Sequence, residues 1–114
     1  MIAPVWRIRL GVEAEKDFAR ILTYTQNTFG RRQAEIYQAT ILEALGALGS
    51  GPEVLGSIPR DDIRPYLRSL HVARRGHRGR HLVLYRPGVG HVIEVIRILH
   101  DAMDLARHIP QDSE

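Results

Sequence analysis

Residues 91–99, HVIEVIRIL, constrain the fold more than any other part of the sequence. Apolar side chains occupy both alternating sets of positions: Val92, Ile96 and Ile98 on one, and Ile93, Val95 and Leu99 on the other. Because successive side chains of a strand point to opposite faces, a strand made from this segment must be covered on both. Two helices can cover only one face, so the other requires a central location, the C-terminal tail or a partner chain.

The first half of the chain predicts a strand followed by a helical hairpin. Residues 4–10 alternate between apolar and arginine side chains, which indicates a strand with one buried face. From Val12 to Phe29 the apolar residues recur at helical spacing, and Gly30 is a suitable stop. A second amphipathic helix follows at once and ends in GSGP at residues 49–52. The link between the two helices, at Gly30, is so short that it favours an antiparallel pair.

The second half predicts a loop and then a meander. Residues 51–66 are rich in glycine and proline and show no period, which is typical of a surface loop. Three strand candidates follow, separated by the turns RRGHRG and PGVG, at residues 67–74, 80–87 and 91–99. A short terminal helix is indicated by Asp101 as N-cap, Asp104 in the first turn and Pro110 as the stop.

These elements predict an α+β fold in the order β-α-α-β-β-β(-α). We expect a mainly antiparallel four-stranded sheet packed by the N-terminal helical hairpin. With 114 residues, the chain is the size of one domain, taken as residues 1–114.

Composition excludes several classes of protein and of chemistry. Apolar residues make up 44% and charged residues 25%, as in ordinary globular proteins, and no run is long enough to span a membrane. The N-terminus lacks the pattern of a secretory signal, so we expect a cytoplasmic protein. The absence of cysteine excludes disulfides, thiolate–zinc sites and cysteine nucleophiles. No glycine-rich phosphate loop and no serine nucleophile motif is present, and no cofactor is expected.

An arginine-rich turn between two predicted strands is the first candidate site. It contains Arg74, Arg75, Arg78 and Arg80, together with His77. The net charge of the chain is +3, and Lys16 is its only lysine. The turn is suited either to gripping a phosphate backbone or to remaining solvated at the tip of a hairpin. No aromatic residue interleaves with the arginines, so base stacking is not indicated there.

Histidine and arginine near the end of the last strand form the second candidate. Three of the six histidines fall on adjacent predicted strands, but their register does not follow from the sequence, and no metal is expected. His100 ends the last strand, where it either moves protons near neutral pH or makes a structural hydrogen bond. Arg97 shares the parity of Ile93 and Val95 and needs a partner. It either pairs with Asp101 or Asp104 or projects into a groove.

The architecture resembles that of the RelE/ParE superfamily of toxins from type II toxin–antitoxin modules. The details are similar to the ParE branch, in four strings: WRIRLGVEAEKDFARILTYTQNTFG, YLRSL, GRHLVLYR and IEVIRILHDAMD. The resemblance implies a plasmid-stabilization type of toxin that inhibits DNA gyrase without catalysing a reaction. It also implies neutralisation by a ParD-like antitoxin that wraps the helical hairpin and the groove of the sheet.

The alternative implied by the superfamily is the RelE type of ribosome-dependent messenger RNA endonuclease. Such cleavage needs a base, cations and an acid, and the candidates are His100, Arg97, Arg80 and Tyr85. This chain departs from that pattern at Leu82, where the nucleases have an arginine, and at Asp101, an acid in place of a base. A third reading is an inactive module that only binds antitoxin.

The resemblance implies two surfaces for partners. The arginines of the turn, Arg74, Arg75, Arg78 and Arg80, are expected to contact antitoxin carboxylates or a gyrase–DNA surface. The C-terminal segment, residues 100–110, is expected to make the toxic contact through residues that include His100, Asp101 and Met103. The antitoxin is expected to cover the second face of strand 91–99. Direct contact with nucleic acid is left open.

Overall fold

The computed structural model describes residues 5–109. Its elements are β1 Arg7–Leu10, α1 Val12–Phe29, α2 Arg31–Ala47, β2 Ile58–Pro59, β3 Arg68–His71, β4 His81–Gly88 and β5 Val92–His100. Short 3-10 turns follow α2 at Leu48–Ser50 and β5 at Leu105–His108. The predicted α+β class and the helical hairpin are confirmed, whereas the start of the first predicted strand, residue 4, lies outside the described residues.

The sheet has five strands rather than the predicted four, in the order β1-β5-β4-β3-β2. β1 pairs with β5 in parallel, and the other neighbours are antiparallel. The added strand, β2, lies inside the predicted loop 51–66 and pairs its two residues with Ser69 and Arg68. The sequence hides this strand because it is short and contains Pro59, which a sheet accepts only at its edge.

A bulge in β5 changes which side chains share a face. Leu84 pairs with Arg97 and Tyr85 pairs with Val95, so Ile96 is the extra residue on β5. After the bulge, Ile98 rather than Arg97 joins Val95 in the core against the helices. The prediction that Arg97 shares the face of Val95 was wrong, because strict alternation does not continue through a bulge.

From Ile96 to Leu99, both faces of β5 are covered by the chain itself. The helices pack on one face around a cluster that includes Ile41, Leu48, Tyr85, Ile93 and Ile98. The C-terminal tail packs on the other, in a second cluster of Leu67, Leu82, Leu84, Leu99 and Ile109, with Ile63, Ile96 and Leu105 against it. Burial of each large aliphatic side chain contributes about 1.5–3 kcal/mol. The tail therefore provides the second cover, and no partner chain is needed for it.

A single residue joins the two helices. Gly30 has φ 95° and donates its backbone N–H to the carbonyl of Gln26 at 2.9 Å, which ends α1 and turns the chain into α2. Phe29, although in step with the buried stripe of α1, is 65% exposed at this tip.

The predicted C-terminal helix begins later than expected. The 3-10 turn starts after Asp104, which takes the N-cap position that the sequence assigned to Asp101. Asp101 cannot cap because its carboxylate accepts bonds from Arg80 and His71. The predicted stop, Pro110, lies outside the described residues.

Candidate partner-binding groove

A groove of about 660 Å³ runs between the helical hairpin and the turn that joins β3 to β4. We call it the hairpin groove. Its helical wall carries Phe29, which is 65% exposed, Ile36, which is 48% exposed, and the aromatic ring of Tyr24. Its other wall is the arginine-rich turn with Arg78, and its floor holds His81. An apolar wall facing a basic wall is suited to a ligand with apolar and acidic groups.

The turn is held tightly against α2. Arg75 and Gly76 have φ of 51° and 82°, and the His77 N–H donates to the Arg74 carbonyl at 3.0 Å. Gly79 lies so close to α2 that an added Cβ would stand 2.6 Å from Val72 Cγ2 and 2.7 Å from the Tyr37 hydroxyl. Close packing against Val72 and Tyr37 thus helps to fix the position of the basic wall.

The four arginines of the turn have different surroundings. Arg74 donates to both carboxylate oxygens of Glu43, at 3.1 and 3.3 Å, and its side chain is only 13% exposed. Arg80 makes a two-pronged contact with Asp101, at 3.0–3.2 Å. Arg75 and Arg78 are exposed and make no ion pair within residues 5–109. Of the predicted basic contacts, these two offer unneutralised charge to a partner.

His81 on the floor of the groove is held as a neutral ring. Its Nδ1 lies 2.6 Å from the Tyr37 hydroxyl, which also accepts the Arg80 backbone N–H at 3.2 Å. The Tyr37 hydroxyl therefore joins the His81 ring to the backbone of the arginine-rich turn. Burial first, and then the neighbouring His100, lower the pKa of His81 to about 4. Burial likewise raises the pKa of Tyr37.

His100 and Asp101 close one end of the groove. The His100 ring meets the His81 ring edge to face at 5.4 Å, and its Nδ1 accepts the Ala102 backbone N–H at 3.1 Å. Asp101 accepts from His71 Nε2 at 2.9 Å and from Arg80, and these bonds lower its pKa to about 2. The carboxylate therefore stays ionised and neutralises the charge of Arg80. His100 makes the structural hydrogen bond that the sequence left as one of its two roles.

The sequence suggested Asp101 or Asp104 as a partner of Arg97, but Arg97 pairs with a different carboxylate. It donates to Asp17 of α1 through Nε at 2.7 Å and Nη2 at 2.8 Å, and Asp17 also accepts the Ile98 N–H at 2.9 Å. β1 ends beside Val95, which leaves this part of β5 open to α1. Asp17, in the second turn of α1, takes the place of a neighbouring strand there.

The structure sets one of the four residues of the nuclease reading, Tyr85, apart from the other three. Arg80 and His100 stand at the hairpin groove. Tyr85 is fully buried in the core and donates its hydroxyl to the Pro52 carbonyl at 2.5 Å. Arg97 lines a neighbouring stretch of groove with His81 and His100, but its guanidinium is engaged with Asp17 and with the His108 carbonyl at 2.5 Å.

Met103 of the predicted toxic segment is 45% exposed. It lines a second stretch of groove, of about 530 Å³, with Arg20 of α1. The two stretches share Tyr24, His81 and His100, so they form one continuous channel along the end of the sheet.

Sequence reasoning missed Tyr37 and Asp17 as members of polar networks. Tyr37 stands at helical spacing from Ala34 and Ile41, and its ring packs against the core, but nothing in the sequence indicates the bonds of its hydroxyl. Asp17 did have one: it stands three residues after Ala14 and four before Ile21, on the buried face of α1. Within residues 5–109, no group of three histidine or acidic side chains is placed to hold a metal ion. Neither helix of this part of the chain is long and apolar enough to cross a membrane.

Comparison with known sequences gives consistent matches. Residues 8–105 match the family described as ParE toxin of type II toxin–antitoxin system, parDE. The toxin ParE1 of Caulobacter vibrioides is 30% identical over 101 residues, which cover 89% of this chain and 95% of that protein. A toxin ParE1 of Mycobacterium tuberculosis is 29% identical over 103 residues, which cover 90% of this chain and 97% of that protein.

Solved structures share the fold. A chain from the chromosomal ParDE toxin–antitoxin system of P. aeruginosa superposes with a TM-score of 0.70 and 18% identity, over 86% of this chain and 98% of that one. A chain from the toxin–antitoxin complex RelBE2 of Mycobacterium tuberculosis superposes with a TM-score of 0.54 and 20% identity, over 84% and 98%. At these identities the likeness concerns the fold alone.

Proposed function

The chain belongs to the family of ParE toxins of type II toxin–antitoxin systems, and from this premise we propose that it inhibits DNA gyrase in the cytoplasm. We further propose that a ParD-like antitoxin neutralises it by filling the hairpin groove. The relatives named above are toxins of the same type, and both structural neighbours come from toxin–antitoxin systems.

The walls of the hairpin groove support an antitoxin as its occupant. Phe29 and Ile36 expose apolar surface along the helical wall of the groove. Arg75 and Arg78 lie opposite, exposed and without an acidic partner in the described part of the chain. A segment with large apolar residues followed by carboxylates would bury the first surface and neutralise the second.

The observation that favours inhibition by contact over catalysis is that Tyr85 is buried and that both arginines of the nuclease reading already have acidic partners. Tyr85 has its hydroxyl bonded inside the core, and Arg97, although it lines the second stretch of groove, has its guanidinium bonded to Asp17. Arg80 is already neutralised by Asp101. A phosphate in the transition state of RNA cleavage would meet an ionised carboxylate at this end of the groove.

A ribosome-dependent RNA endonuclease is the second candidate. One observation favours it, because His81 and His100 present two imidazole rings 5.4 Å apart in an open groove. Two such rings supply a base and an acid for cleavage at a 2′-hydroxyl. An inactive antitoxin-binding module is the third reading.

The test is to induce the protein alone in a bacterial host and follow incorporation of labelled thymidine and labelled amino acids over the first minutes. Inhibition of gyrase stops thymidine incorporation first. If amino acid incorporation stops first and transcripts are cleaved, the nuclease replaces the gyrase inhibitor. Unaffected growth, with the protein present and folded, indicates the inactive module.

The antitoxin site is tested separately with the double variant Arg75→Gln and Arg78→Gln. We expect slower, less salt-dependent association with antitoxin, because both charges lie at an exposed rim. Arg31→Gln with Arg32→Gln on α2 removes the same charge elsewhere and serves as the control. Equal association rates for the two double variants would contradict the placement of antitoxin carboxylates against this turn.

A further inference from the structure

A second groove lies on the opposite face of the sheet from the helices. We call it the outer groove. It has a volume of about 550 Å³ and lies between the loop containing Tyr66 and the turn containing Val89. Its floor is formed by Arg9, Arg86 and Glu94. These residues alternate with core residues along β1, β4 and β5, which places them on the face away from the hairpin groove.

Tyr66 stands at the rim of the outer groove in an unusual conformation. It has φ 67°, a region that costs about 1–3 kcal/mol for a residue with a bulky side chain. The surrounding backbone enforces it: the Tyr66 N–H donates to Asp61 Oδ1 at 3.0 Å, and the Arg60 N–H donates to the Leu67 carbonyl at 2.7 Å. Despite this cost, the ring is not buried and remains 74% exposed. Packing in the core therefore does not explain the presence of a tyrosine at position 66.

The floor of the outer groove holds two arginines on one carboxylate. Arg86 donates to Glu94 through Nε at 3.2 Å, and Arg9 donates to the other carboxylate oxygen. Burial raises the pKa of Glu94, but the bonds from the two guanidinium groups outweigh it and lower that pKa overall. The two arginines thus engage both oxygens of a single carboxylate. The Arg9 side chain is 69% exposed, so part of its donor set faces the solvent.

Prolines complete the shape of the groove. Pro65 precedes Tyr66 on one side, and Pro87 lies on the other. Val89, at the tip of the β4–β5 turn, is 98% exposed. A flat ring entering between these residues would have an aromatic face on one side and aliphatic surface on the other, within reach of the guanidinium groups below.

We propose that the outer groove binds a nucleotide unit, with the base stacked on Tyr66 and the phosphate held by Arg9 and Arg86. Its volume is in the range of small-ligand sites, about 300–1,000 Å³. Stacking on an aromatic ring accepts any base, and guanidinium groups bind phosphate through two parallel hydrogen bonds. A free nucleotide and a nucleotide within a DNA strand offer the same chemistry. The proposal goes beyond gyrase inhibition and does not depend on it.

The experiment uses the full chain and two probes, thymidine monophosphate and a fluorescein-labelled oligothymidylate of about 12 nucleotides. Anisotropy reports binding of the oligonucleotide, and amide chemical shifts report binding of the mononucleotide. We expect Tyr66→Gly to weaken binding about tenfold, the order found for loss of one stacked base, and Tyr66→Phe to retain it. Glycine accepts the backbone conformation of position 66, so this variant stays folded.

Charge variants test the floor of the groove. Arg9→Gln should weaken binding of the oligonucleotide and reduce the slope of its salt dependence by about one. Glu94→Gln should strengthen binding, because it removes the negative charge beside the phosphate. Arg32→Gln, on the helical face, removes the same charge as Arg9→Gln and should leave binding unchanged.

The outcomes separate the sources of the ligand. If both probes bind and Tyr66→Gly abolishes this binding, the outer groove is a site for a free nucleotide. If only the oligonucleotide binds, the groove is a site for a DNA strand. The proposal is overturned if neither probe binds, or if Tyr66→Gly and Arg9→Gln bind as the unaltered chain does. Neither gyrase nor cell growth enters these measurements, so their failure is distinguishable from failure of the proposed gyrase inhibition.

Discussion

Two arginine–aspartate pairs lie near the end of β5, and they have the same chemistry in opposite surroundings. Arg97 and Asp17 join the strand to α1 in the interior, with side chains 14% and 5% exposed. Arg80 and Asp101 join the start of β4 to the end of β5 at the rim of the hairpin groove, where the Arg80 side chain is 68% exposed.

The difference shows which of the two pairs holds the fold together. Asp17 accepts from the Arg97 guanidinium and from the Ile98 backbone, so it completes a sheet edge that β1 does not reach. Asp101 accepts mainly from side chains that have water as an alternative partner. We infer that the interior pair is needed for folding, while the rim pair is available to be rearranged by a partner.

The largest expected effect is from Asp17→Asn. It leaves the Arg97 guanidinium without a counter-charge while an oxygen remains for the Ile98 N–H. Breaking a buried pair costs about 3–5 kcal/mol, and because Arg97 retains some access to water we expect the lower end, about 3 kcal/mol of unfolding free energy. Urea denaturation measures it.

A second substitution separates lost charge from lost packing. Arg97→Met removes the uncompensated cation, so the double variant of Asp17→Asn and Arg97→Met should recover much of the stability lost in Asp17→Asn alone. If the double variant is less stable than the single one by the full additive amount, the pair is not coupled and the comparison between the two pairs fails.

The interior pair also shows how far sequence carries a prediction of this fold. The helical hairpin, the meander and the α+β class follow from local periodicity, which is a property of neighbouring residues. The partner of Arg97 does not, since Asp17 is eighty positions away and only the parallel contact between β1 and β5 brings it near. The bulge at Ile96 has no periodic signal either, and it reverses the parity on which the side of Arg97 was assigned.

At the candidate site, sequence found the residues but not their states. Arg74, Arg75, Arg78 and Arg80 were identified as one basic cluster. The cluster divides because Glu43 of α2 reaches Arg74 and Asp101 of β5 reaches Arg80, both of which are long-range contacts. Charge clustering in a sequence therefore overestimates the charge that a folded surface presents.

A substitution at Gly79 tests whether the arginine-rich turn, which forms the basic wall of the hairpin groove, can move relative to α2. Gly79→Ala would place a methyl group against Val72, which is fully buried, and against the Tyr37 hydroxyl. We expect a loss of about 2 kcal/mol, because neither neighbour has room to move. Gly46→Ala in α2 is the control. Its Cβ meets nothing within 4 Å, so it should stabilise the chain by about 0.5–1 kcal/mol. A neutral Gly79→Ala would mean that the turn is free to shift.

The pH dependence of the unfolding free energy tests the protonation state of His81, which lies between the interior pair and the rim pair. Its pKa in the folded chain is about 4, below the ordinary 6.5, so the folded state favours the neutral ring. The unfolded state takes up a proton first as the pH falls. This contribution is therefore complete above pH 6.5 and is lost between pH 6.5 and about 4. Because the ring is only half-buried, we expect on the order of 1 kcal/mol after allowance for solvent screening. In His81→Gln, urea midpoints across this range should lose the slope that the unaltered chain shows.

The smallest effect on stability is expected from Arg80→Gln, the rim counterpart of Asp17→Asn. An exposed pair contributes little, since water replaces the lost partner, and Asp101 keeps its bond from His71. The same change unmasks the Asp101 carboxylate, so an acidic antitoxin segment in the hairpin groove would meet uncompensated negative charge and bind more weakly. Titration calorimetry should thus show a lower affinity for antitoxin. Urea denaturation of the free chain should give an unfolding midpoint close to that of the unaltered chain. A fall in stability comparable to that of Asp17→Asn, with affinity unchanged, would instead make the rim pair a part of the fold.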